Sequence, residues 1–236
     1  MTPTPILRGG IIAAGDGLRL RAGGLTGSKA MALVAGRPLI DHALDRFRAA
    51  GIGRLTVIIN EDSQDCRAHL DSRRDAFDLD LVVRSTPSSY ASFQIVAERL
   101  GPAAAVVSTV DSILPEADFV RFVRQAETYA GAAVVLGLTS HVDDEKPLWA
   151  TLDATDGRVT ALGGSLGSHV TAGLYVLPER RPPAPPRPFE RLREYLQWLV
   201  DEGAPVQGLV LPKVFDVDRP WDIAQAEQAL AAPLSV

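Results

Sequence analysis

Two glycines and two cations near the start of the chain have the composition of a phosphate-binding loop. An apolar run over residues 10–14 leads into Gly-Asp-Gly at residues 15–17, and Arg19 and Lys29 follow. Either glycine can adopt positive φ, which lets backbone N–H groups approach an anion closely, and the two side chains add positive charge. Leu20 stands where a dinucleotide-binding fingerprint needs a third glycine, and no serine or threonine follows Lys29 as in a Walker A loop. The residues therefore indicate a phosphate site of another kind.

One acidic residue, Asp111, ends a buried strand-like run in the middle of the chain. The run over residues 103–110 is mostly apolar, and Pro115 follows shortly after it. In an open α/β sheet, ligands bind at the carboxyl ends of the strands, so a carboxylate there is well placed to hold a metal ion. A carboxylate at a strand end also commonly caps the next turn, and the residues alone leave both interpretations open.

Two segments, in order and at matching spacing, resemble a family signature. Residues 12–20 read IAAGDGLRL, and residues 28–40 read SKAMALVAGRPLI. They resemble the signature of the nucleotidylyltransferases, which join a nucleoside triphosphate to a sugar 1-phosphate or similar phosphate ester and include molybdenum-cofactor guanylyltransferase-like enzymes. Ser28 stands where this family usually has proline, which predicts a looser segment around Lys29.

The resemblance implies roles for the loop and for two carboxylates. Arg19 and Lys29 are the implied catalytic cations, and Asp111 and Asp216 are the implied ligands of a Mg²⁺ cofactor. Asp218 takes a place where many relatives have glycine, and we favour it as the cap of the last helix over a part in the metal site. The nucleotide-binding residues predicted in this way are Ala13, Ala14, Gly15, Asp16, Gly17, Ser88 and Ser89.

Two further segments are predicted to line the pocket. Ser88 and Ser89 precede a predicted helix, where a serine is commonly an N-cap, so a capping role stays open beside nucleotide binding. The stretch from Thr171 to Tyr175 resembles the family segment beside the acceptor, which implies that Thr171 and Gly173 contact the acceptor. Thr171 replaces an asparagine and lacks the amide that both donates and accepts hydrogen bonds, so the acceptor is left unidentified.

Lysine is scarce in this chain. The only lysines are Lys29, Lys146 and Lys213, and arginine supplies the remaining positive charge. A lysine retained in such a chain is a candidate for a site that needs a compact charge on a flexible stem. We therefore include Lys146 and Lys213 among the predicted acceptor-binding residues, with ordinary surface lysines as an equally weighted alternative.

The elements that must position these residues alternate between strand and helix, which predicts an α/β fold with a mostly parallel sheet. The resemblance implies a Rossmann-like three-layer α/β/α arrangement. Strands following one another without helices over residues 149–176 indicate an antiparallel excursion at one edge, and the proline-rich segment 178–188 is predicted to be an extended connector. Predicted strands are 10–14, 55–59, 79–83, 104–107, 132–138, 149–152, 159–162, 170–176 and 206–211; predicted helices are 39–50, 64–70, 88–100, 118–130, 189–202 and 221–231.

Composition narrows the functional classes. The 236 residues, 46% hydrophobic, predict one catalytic domain over residues 1–236, without the β-helix domain common in the family. A net charge of -5 argues against general nucleic-acid binding. No apolar run approaches the roughly 20 residues of a membrane helix, and the start lacks a secretory pattern, so we expect a cytoplasmic protein that does not bind membranes. Cys66 is the only cysteine, which excludes an internal disulfide.

The resemblance to the nucleotidylyltransferases implies a Mg²⁺-dependent nucleotidyltransferase of nucleotide sugar biosynthesis. It transfers NMP from an NTP to a sugar 1-phosphate or similar ester and releases pyrophosphate. Two alternatives stay open, namely transfer to a non-sugar ester such as molybdopterin, phosphocholine or a polyol phosphate, and a non-catalytic nucleotide-binding sensor. The expected partners are an NTP and a phosphorylated small molecule, and the expected assembly is a monomer or homodimer.

Overall fold

A nine-stranded mixed sheet forms the centre of the protein in a computed structural model that describes residues 3–142 and 146–231. The strands, in chain order, are β1 (Arg8–Ala13), β2 (Leu33–Val34), β3 (Arg37–Pro38), β4 (Arg54–Ile59), β5 (Asp78–Val83), β6 (Ala105–Thr109), β7 (Ser112–Ile113), β8 (Val134–Thr139), β9 (Trp149–Leu152), β10 (Val159–Leu162), β11 (His169–Leu177), β12 (Val206–Leu211) and β13 (Phe215–Asp216). The helices are α1 (Leu18–Ala22), α2 (Leu39–Ala49), α3 (Gln64–Asp71), α4 (Ser89–Leu100), α5 (Glu116–Ala126), α6 (Leu192–Asp201) and α7 (Pro220–Ala231).

The strand order places the signature loop at the middle of the sheet. Strands β6, β1, β4 and β5 are neighbours in that order and all run parallel. Strand β11 is antiparallel to β6 and also pairs with β8, which is parallel to β12, while β9 and β10 extend the antiparallel edge. The carboxyl ends of β1 and β6 therefore meet at one rim of the sheet, where ligands collect in this class of fold.

Hydrophobic residues pack on both faces of the sheet, because successive side chains of a strand point to opposite faces. In β1, Ile11 belongs to the cluster that includes residues of α2, α3 and α5, whereas Ile12 packs against the opposite cluster, which includes residues of α4 and α6. Both clusters are continuous, so the helices form two layers around the sheet. Cys66 is buried in the first cluster, and burial raises the pKa of its thiol to about 12.

The predicted α/β architecture is confirmed, and so is the antiparallel excursion over β9, β10 and β11. Boundaries of the long elements agree within a few residues, since periodic apolar patterns are a strong signal. The short elements α1, β2, β3, β7 and β13 were not predicted, because two to five residues are too few to show a period. Along the described ranges, no helix combines the length and the apolar character needed to span a membrane.

Candidate active site

The glycine loop after β1 is shaped by one glycine rather than by both. Gly17 adopts φ +61°, and a Cβ there would lie 2.8 Å from the Cβ of Lys29, so the position needs glycine for its conformation and for space. Gly15 does not adopt positive φ, and a Cβ there would meet nothing within 4 Å. Of the two glycines that can adopt positive φ, only Gly17 does so, because there the chain turns left-handed to begin α1.

The segment that carries Lys29 is held firmly, although Ser28 replaces proline. Proline has no backbone N–H, whereas the N–H of Ser28 donates to Oδ2 of Asp65 over 2.9 Å. Burial would raise the pKa of Asp65, but hydrogen bonds from the N–H groups of Ser28 and Cys66 outweigh it and lower that pKa. The predicted loosening around Lys29 is thus offset by a hydrogen bond that a proline could not make.

Lys29 lies among the carboxylates of Asp111, Asp216 and Asp218. We call these four residues the charge cluster. The Lys29 side chain is 7% exposed, and its Nζ lies 2.5 Å from Oδ2 of Asp111 and also pairs with Asp218. Arg19, which is 51% exposed, pairs with the other oxygen of Asp218 over 2.9 Å. Both cations of the signature therefore meet acidic groups from distant parts of the chain.

Short strand pairing brings the late carboxylates next to Asp111. Strand β13 pairs antiparallel with β7, so that Asp216 lies opposite Ser112, directly after Asp111 in the sequence. The N–H of Val217 also donates to the carbonyl of Asp111 over 3.1 Å. Side-chain oxygens of Asp111, Asp216 and Asp218 all lie within 4.8 Å of one another, and carboxylate oxygens at such spacing suit a hard divalent cation.

Electrostatic coupling within the charge cluster favours the charged form of both Lys29 and Asp111. Burial lowers the pKa of Lys29, but Asp111, Asp216 and Asp218 together raise it above its usual value. Burial acts in the opposite direction on Asp111, and there the charge and hydrogen bond of Lys29 prevail and lower the pKa. The buried ammonium and the half-buried carboxylate thus both stay ionised.

A cavity of about 490 Å³ opens beside the glycine loop, and we call it the nucleotide cavity. Its walls come from the loop after β1, the segment before α4 and the end of β6, together with Lys29 and Asp218. Of the predicted nucleotide-binding residues, it is lined by Ala14, Gly15, Asp16, Gly17, Ser88 and Ser89. Ala13 does not line it, because its position in β1 points its side chain into the hydrophobic core.

The hydroxyls of Ser88 and Ser89 also hold the backbone in place. Ser88 Oγ accepts from the N–H of Ala91 over 3.1 Å, which makes Ser88 the N-cap of α4. Ser89 Oγ accepts from the N–H of Leu192 over 3.0 Å and so links α4 to the start of α6. The capping alternative is thus confirmed for Ser88, and both residues combine a structural role with a position in the cavity wall.

A second cavity, of about 200 Å³, lies on the other side of Asp111, and we call it the acceptor cavity. The predicted residues Thr171 and Gly173 line it together with Asp111 and Asp216. Lys146 and Lys213 do not line it: the carbonyl of Lys146 accepts from Arg193, and Lys213 is exposed beyond the end of β12. Asp111 and Thr109 line both cavities, so they mark the junction between the two.

Gly173 allows the acceptor cavity to close against the strand that precedes Asp111. It adopts φ +69°, and a Cβ there would overlap the hydroxyl oxygens of Ser112 and Thr109, which hydrogen-bond to each other over 2.7 Å. The pairing register between β11 and β8 shifts between Thr171 and Tyr175 at the same place. Only glycine permits this approach of β11 to the loop after β6.

Several lining residues were missed by the sequence analysis, among them His141 and Arg193, whereas Tyr175 ends the stretch predicted to lie beside the acceptor. His141 follows the end of β8 by two residues, so the strand-end rule that identified Asp111 also applies to it. Tyr175 is a buried phenol whose pKa is raised by burial and further by Asp111 and Asp216, with Arg193 opposing them. Arg193 lies on a helix after the proline-rich segment, and nothing in its surrounding sequence distinguishes it from other arginines.

The favoured role of Asp218 as a helix cap is wrong. Its carboxylate oxygens face Arg19 and Lys29. The first turn of α7 is closed instead by Asp222, whose Oδ2 accepts from the N–H groups of Asp218 and Arg219 over 2.9 and 2.7 Å. Because a carboxylate three residues into the helix reaches back in this way, Asp218 is released to face the charge cluster.

Similarity to known proteins extends over most of the chain. Residues 9–166 match the family model described as MobA-like NTP transferase domain. No curated protein sequence matches the chain significantly. Among solved structures, the inositol-1-phosphate CTP transferase from T. maritima has a TM-score of 0.78 and 16% sequence identity, with 100% of both chains covered. A putative glucose-1-phosphate thymidylyltransferase from Bacillus anthracis, in complex with a sucrose, has a TM-score of 0.80 and 17% identity, with 97% of both chains covered.

Proposed function

The chain belongs to the family of MobA-like NTP transferase domains, and we propose that it transfers NMP from an NTP to a sugar 1-phosphate or a similar phosphate ester and releases pyrophosphate. The observation that carries this proposal is the junction of two cavities at Asp111, with the glycine loop on one side and Thr171 and Gly173 on the other. In this proposal residues 1–236 act as one catalytic domain in the cytoplasm.

The proposed reaction is an in-line displacement at phosphorus. An oxygen of the acceptor phosphate forms a bond to the α-phosphorus of the NTP, and the bond from that phosphorus to the bridging oxygen of the β-phosphate breaks. The electron pair leaves with pyrophosphate. Because the nucleophile is already an anion, the protein has to align two substrates and offset negative charge rather than supply a strong base.

The residues divide this work according to their positions. Backbone N–H groups over residues 14–17 bind the triphosphate, in keeping with the positive φ of Gly17. Arg19 and Lys29 neutralise the charge that develops on the leaving pyrophosphate. Ser88 and Ser89 hold the segment before α4 against the nucleotide. Thr171 and Gly173 bound the acceptor on the far side of the junction.

The acidic part of the charge cluster fits a divalent cation, and we propose Mg²⁺. Asp111 and Asp216 would hold it, and the closeness of Asp218, within 4.8 Å, supports a third oxygen donor. A bound Mg²⁺ supplies charge neutralisation where the two phosphates approach each other. The protein contributes three carboxylates at close spacing, and the pairing of β7 with β13 sets Asp216 opposite the residue that follows Asp111.

The acceptor class rests on weaker support than the reaction. The two similar structures are named for inositol 1-phosphate and glucose 1-phosphate, which favours a cyclic polyol or sugar phosphate. The match to MobA-like NTP transferase domains keeps a non-sugar ester as the second candidate, because this family is not defined by a sugar substrate. A nucleotide-binding sensor without activity is disfavoured by the complete set Arg19, Lys29, Asp111 and Asp216.

Pyrophosphate release tests the proposal directly. The purified protein is incubated with Mg²⁺ and each of the four common NTPs, crossed with hexose 1-phosphates, inositol 1-phosphate, glycerol 3-phosphate and phosphocholine. We expect release that requires both one NTP and one acceptor and that stops when EDTA removes the metal. Nucleotide binding without release in any combination would favour the sensor, and release without an acceptor would indicate a hydrolase.

A further inference from the structure

Arg193 is a cation in the acceptor cavity that the family match does not cover, since that match ends at residue 166. The residue lies in the first turn of α6, directly after Leu192. That turn is fixed from two sides: Ser89 accepts the N–H of Leu192 over 3.0 Å, and the carboxylate of Glu194 accepts the N–H of Arg191 over 3.3 Å. A guanidinium is thus presented to the cavity from a backbone that is held in place.

The chemistry of a guanidinium limits what it recognises best. Its planar set of five N–H donors matches the oxygens of a carboxylate or phosphate, and it does not lose its charge at neutral pH. One donor of Arg193 contacts the carbonyl of Lys146 over 2.9 Å, which fixes the direction of the side chain along the cavity wall. An acceptor that carried only neutral hydroxyls would need only hydrogen-bonding groups such as those of Thr139, Ser112 and Thr171, which line the same cavity.

The acidic end of the cavity determines where a second anion is favourable. Asp111 and Asp216 line the acceptor cavity and repel any anionic group that is not neutralised by a metal ion or a cation. The reacting phosphate belongs at that end, beside the junction with the nucleotide cavity. An additional anionic group on the acceptor would be placed favourably beside Arg193. His141, which lines the same cavity, offers a second nitrogen-bearing side chain there.

We propose that Arg193 binds a second acidic group of the acceptor, so that the substrate is a small phosphate ester that also carries a carboxylate. This inference rests on the proposed function and narrows its substrate class. The cavity of about 200 Å³ favours a carboxylate over a second phosphate, because a carboxylate has fewer atoms. Arg193 is then a specificity-determining residue, and the reaction at the α-phosphorus is unchanged.

Matched acceptor pairs test this inference. Glucuronate 1-phosphate differs from glucose 1-phosphate only by a carboxylate in place of a CH₂OH group, and 3-phosphoglycerate differs from glycerol 3-phosphate in the same way. Glucose 1,6-bisphosphate tests a second phosphate. With Mg²⁺ and the NTP that gives release, we expect the carboxylate member of at least one pair to have a kcat/KM about 10- to 100-fold above its neutral partner.

Substitution of Arg193 separates recognition from a structural role. In Arg193→Gln, KM for the carboxylate acceptor should rise about 10- to 100-fold, while KM for the NTP and the turnover of the neutral partner stay within about threefold. Arg193→Lys should recover part of the loss, because it restores the charge without the planar fork. If the only effect of Arg193→Gln were loss of the hydrogen bond to the Lys146 carbonyl, turnover of both members of a pair should fall equally and Tm should fall as well.

The possible outcomes are distinguishable. Three results would overturn the role of Arg193 but leave the proposed function standing. The first is equal or better turnover of the neutral member of each pair, and the second is turnover of glucose 1,6-bisphosphate alone. The third is turnover only of esters with no second acidic group, such as inositol 1-phosphate or phosphocholine. An equal loss for both members in Arg193→Gln would also overturn it. Absence of pyrophosphate release with every acceptor would overturn the proposed function, and this inference with it.

Discussion

The charge cluster and the outer wall of the acceptor cavity, formed by His141, Thr171 and Arg193, are built in different ways. Asp111, which belongs to the charge cluster, also lines the acceptor cavity. In the charge cluster, Lys29 directly contacts Asp111 and Asp218, and the two-stranded β7–β13 pairing places Asp216 beside them. In the outer wall, His141, Thr171 and Arg193 come from the loop after β8, from β11 and from α6.

Under the proposed function, this difference would separate the residues that the reaction needs from those that select the acceptor. When several charged groups share hydrogen bonds, substitution of one also affects the others, since it leaves a charge without its partner. Wall residues from separate elements can change singly at little cost to their neighbours. We therefore expect large, general effects from substitutions in the charge cluster and smaller, acceptor-specific effects from substitutions in the wall.

Asp111→Asn should have the largest effect, because Asp111 belongs to both cavities. We expect turnover to fall by at least about 10³-fold with every acceptor, since the variant loses a negative charge where the proposed function places the metal and both phosphates. Circular dichroism and Tm at matched concentration check that the fold is retained. Turnover near the wild-type value at saturating Mg²⁺ would remove Asp111 from the site.

Lys29→Met should lower turnover by about 10²-fold, because the variant loses an ammonium that is 7% exposed and paired with two carboxylates, whereas Arg19 pairs with Asp218 from a much more exposed position. Lys213→Met is the matched control, since Lys213 is an exposed lysine that lines neither cavity. Steady-state pyrophosphate release should leave Lys213→Met within about twofold of wild type. Equal losses in the two variants would indicate that lysine charge acts through the general field of the protein.

Gly173→Ala tests how closely β11 must approach the loop after β6. We expect a loss of about 2–4 kcal/mol in the free energy of unfolding, from the positive φ and from overlap with Thr109 and Ser112. Gly164→Ala is the control, because Gly164 has φ +78° with nothing within 4 Å of an added Cβ, and it should lose about 1–2 kcal/mol. Urea denaturation measures both, and similar losses would show that the close contact is unimportant.

Thr171→Val should give the smallest effect. The change keeps the shape of the side chain and removes one hydroxyl from the acceptor cavity, so KM for the acceptor should rise about 3- to 10-fold. KM for the NTP should stay the same, because Thr171 does not line the nucleotide cavity. If KM for the NTP rose instead, the separation between the two cavities would be incorrect.

The same contrast decides how much the sequence could predict. The α/β fold, the long elements and the family follow from periodicity and from an ordered signature over residues 12–40. The contact of Asp218 with Lys29 could not be foreseen, because it depends on a two-residue strand pairing and on Asp222 taking over the first turn of α7. Arg193 was missed for a related reason: only the tertiary packing of α6 brings it to the acceptor cavity.

The transfer of the α-phosphorus tests the central claim most directly. The protein is incubated with Mg²⁺, an NTP labelled with ³²P at the α-phosphorus and the acceptor that supports pyrophosphate release, and the products are separated by chromatography. If the reaction takes place at the junction marked by Asp111, the label appears in an acceptor–nucleotide diphosphate ester in a 1:1 ratio with pyrophosphate, and Asp111→Asn does not form it. Label recovered as free NMP, or an ester formed equally well by Asp111→Asn, would contradict the account.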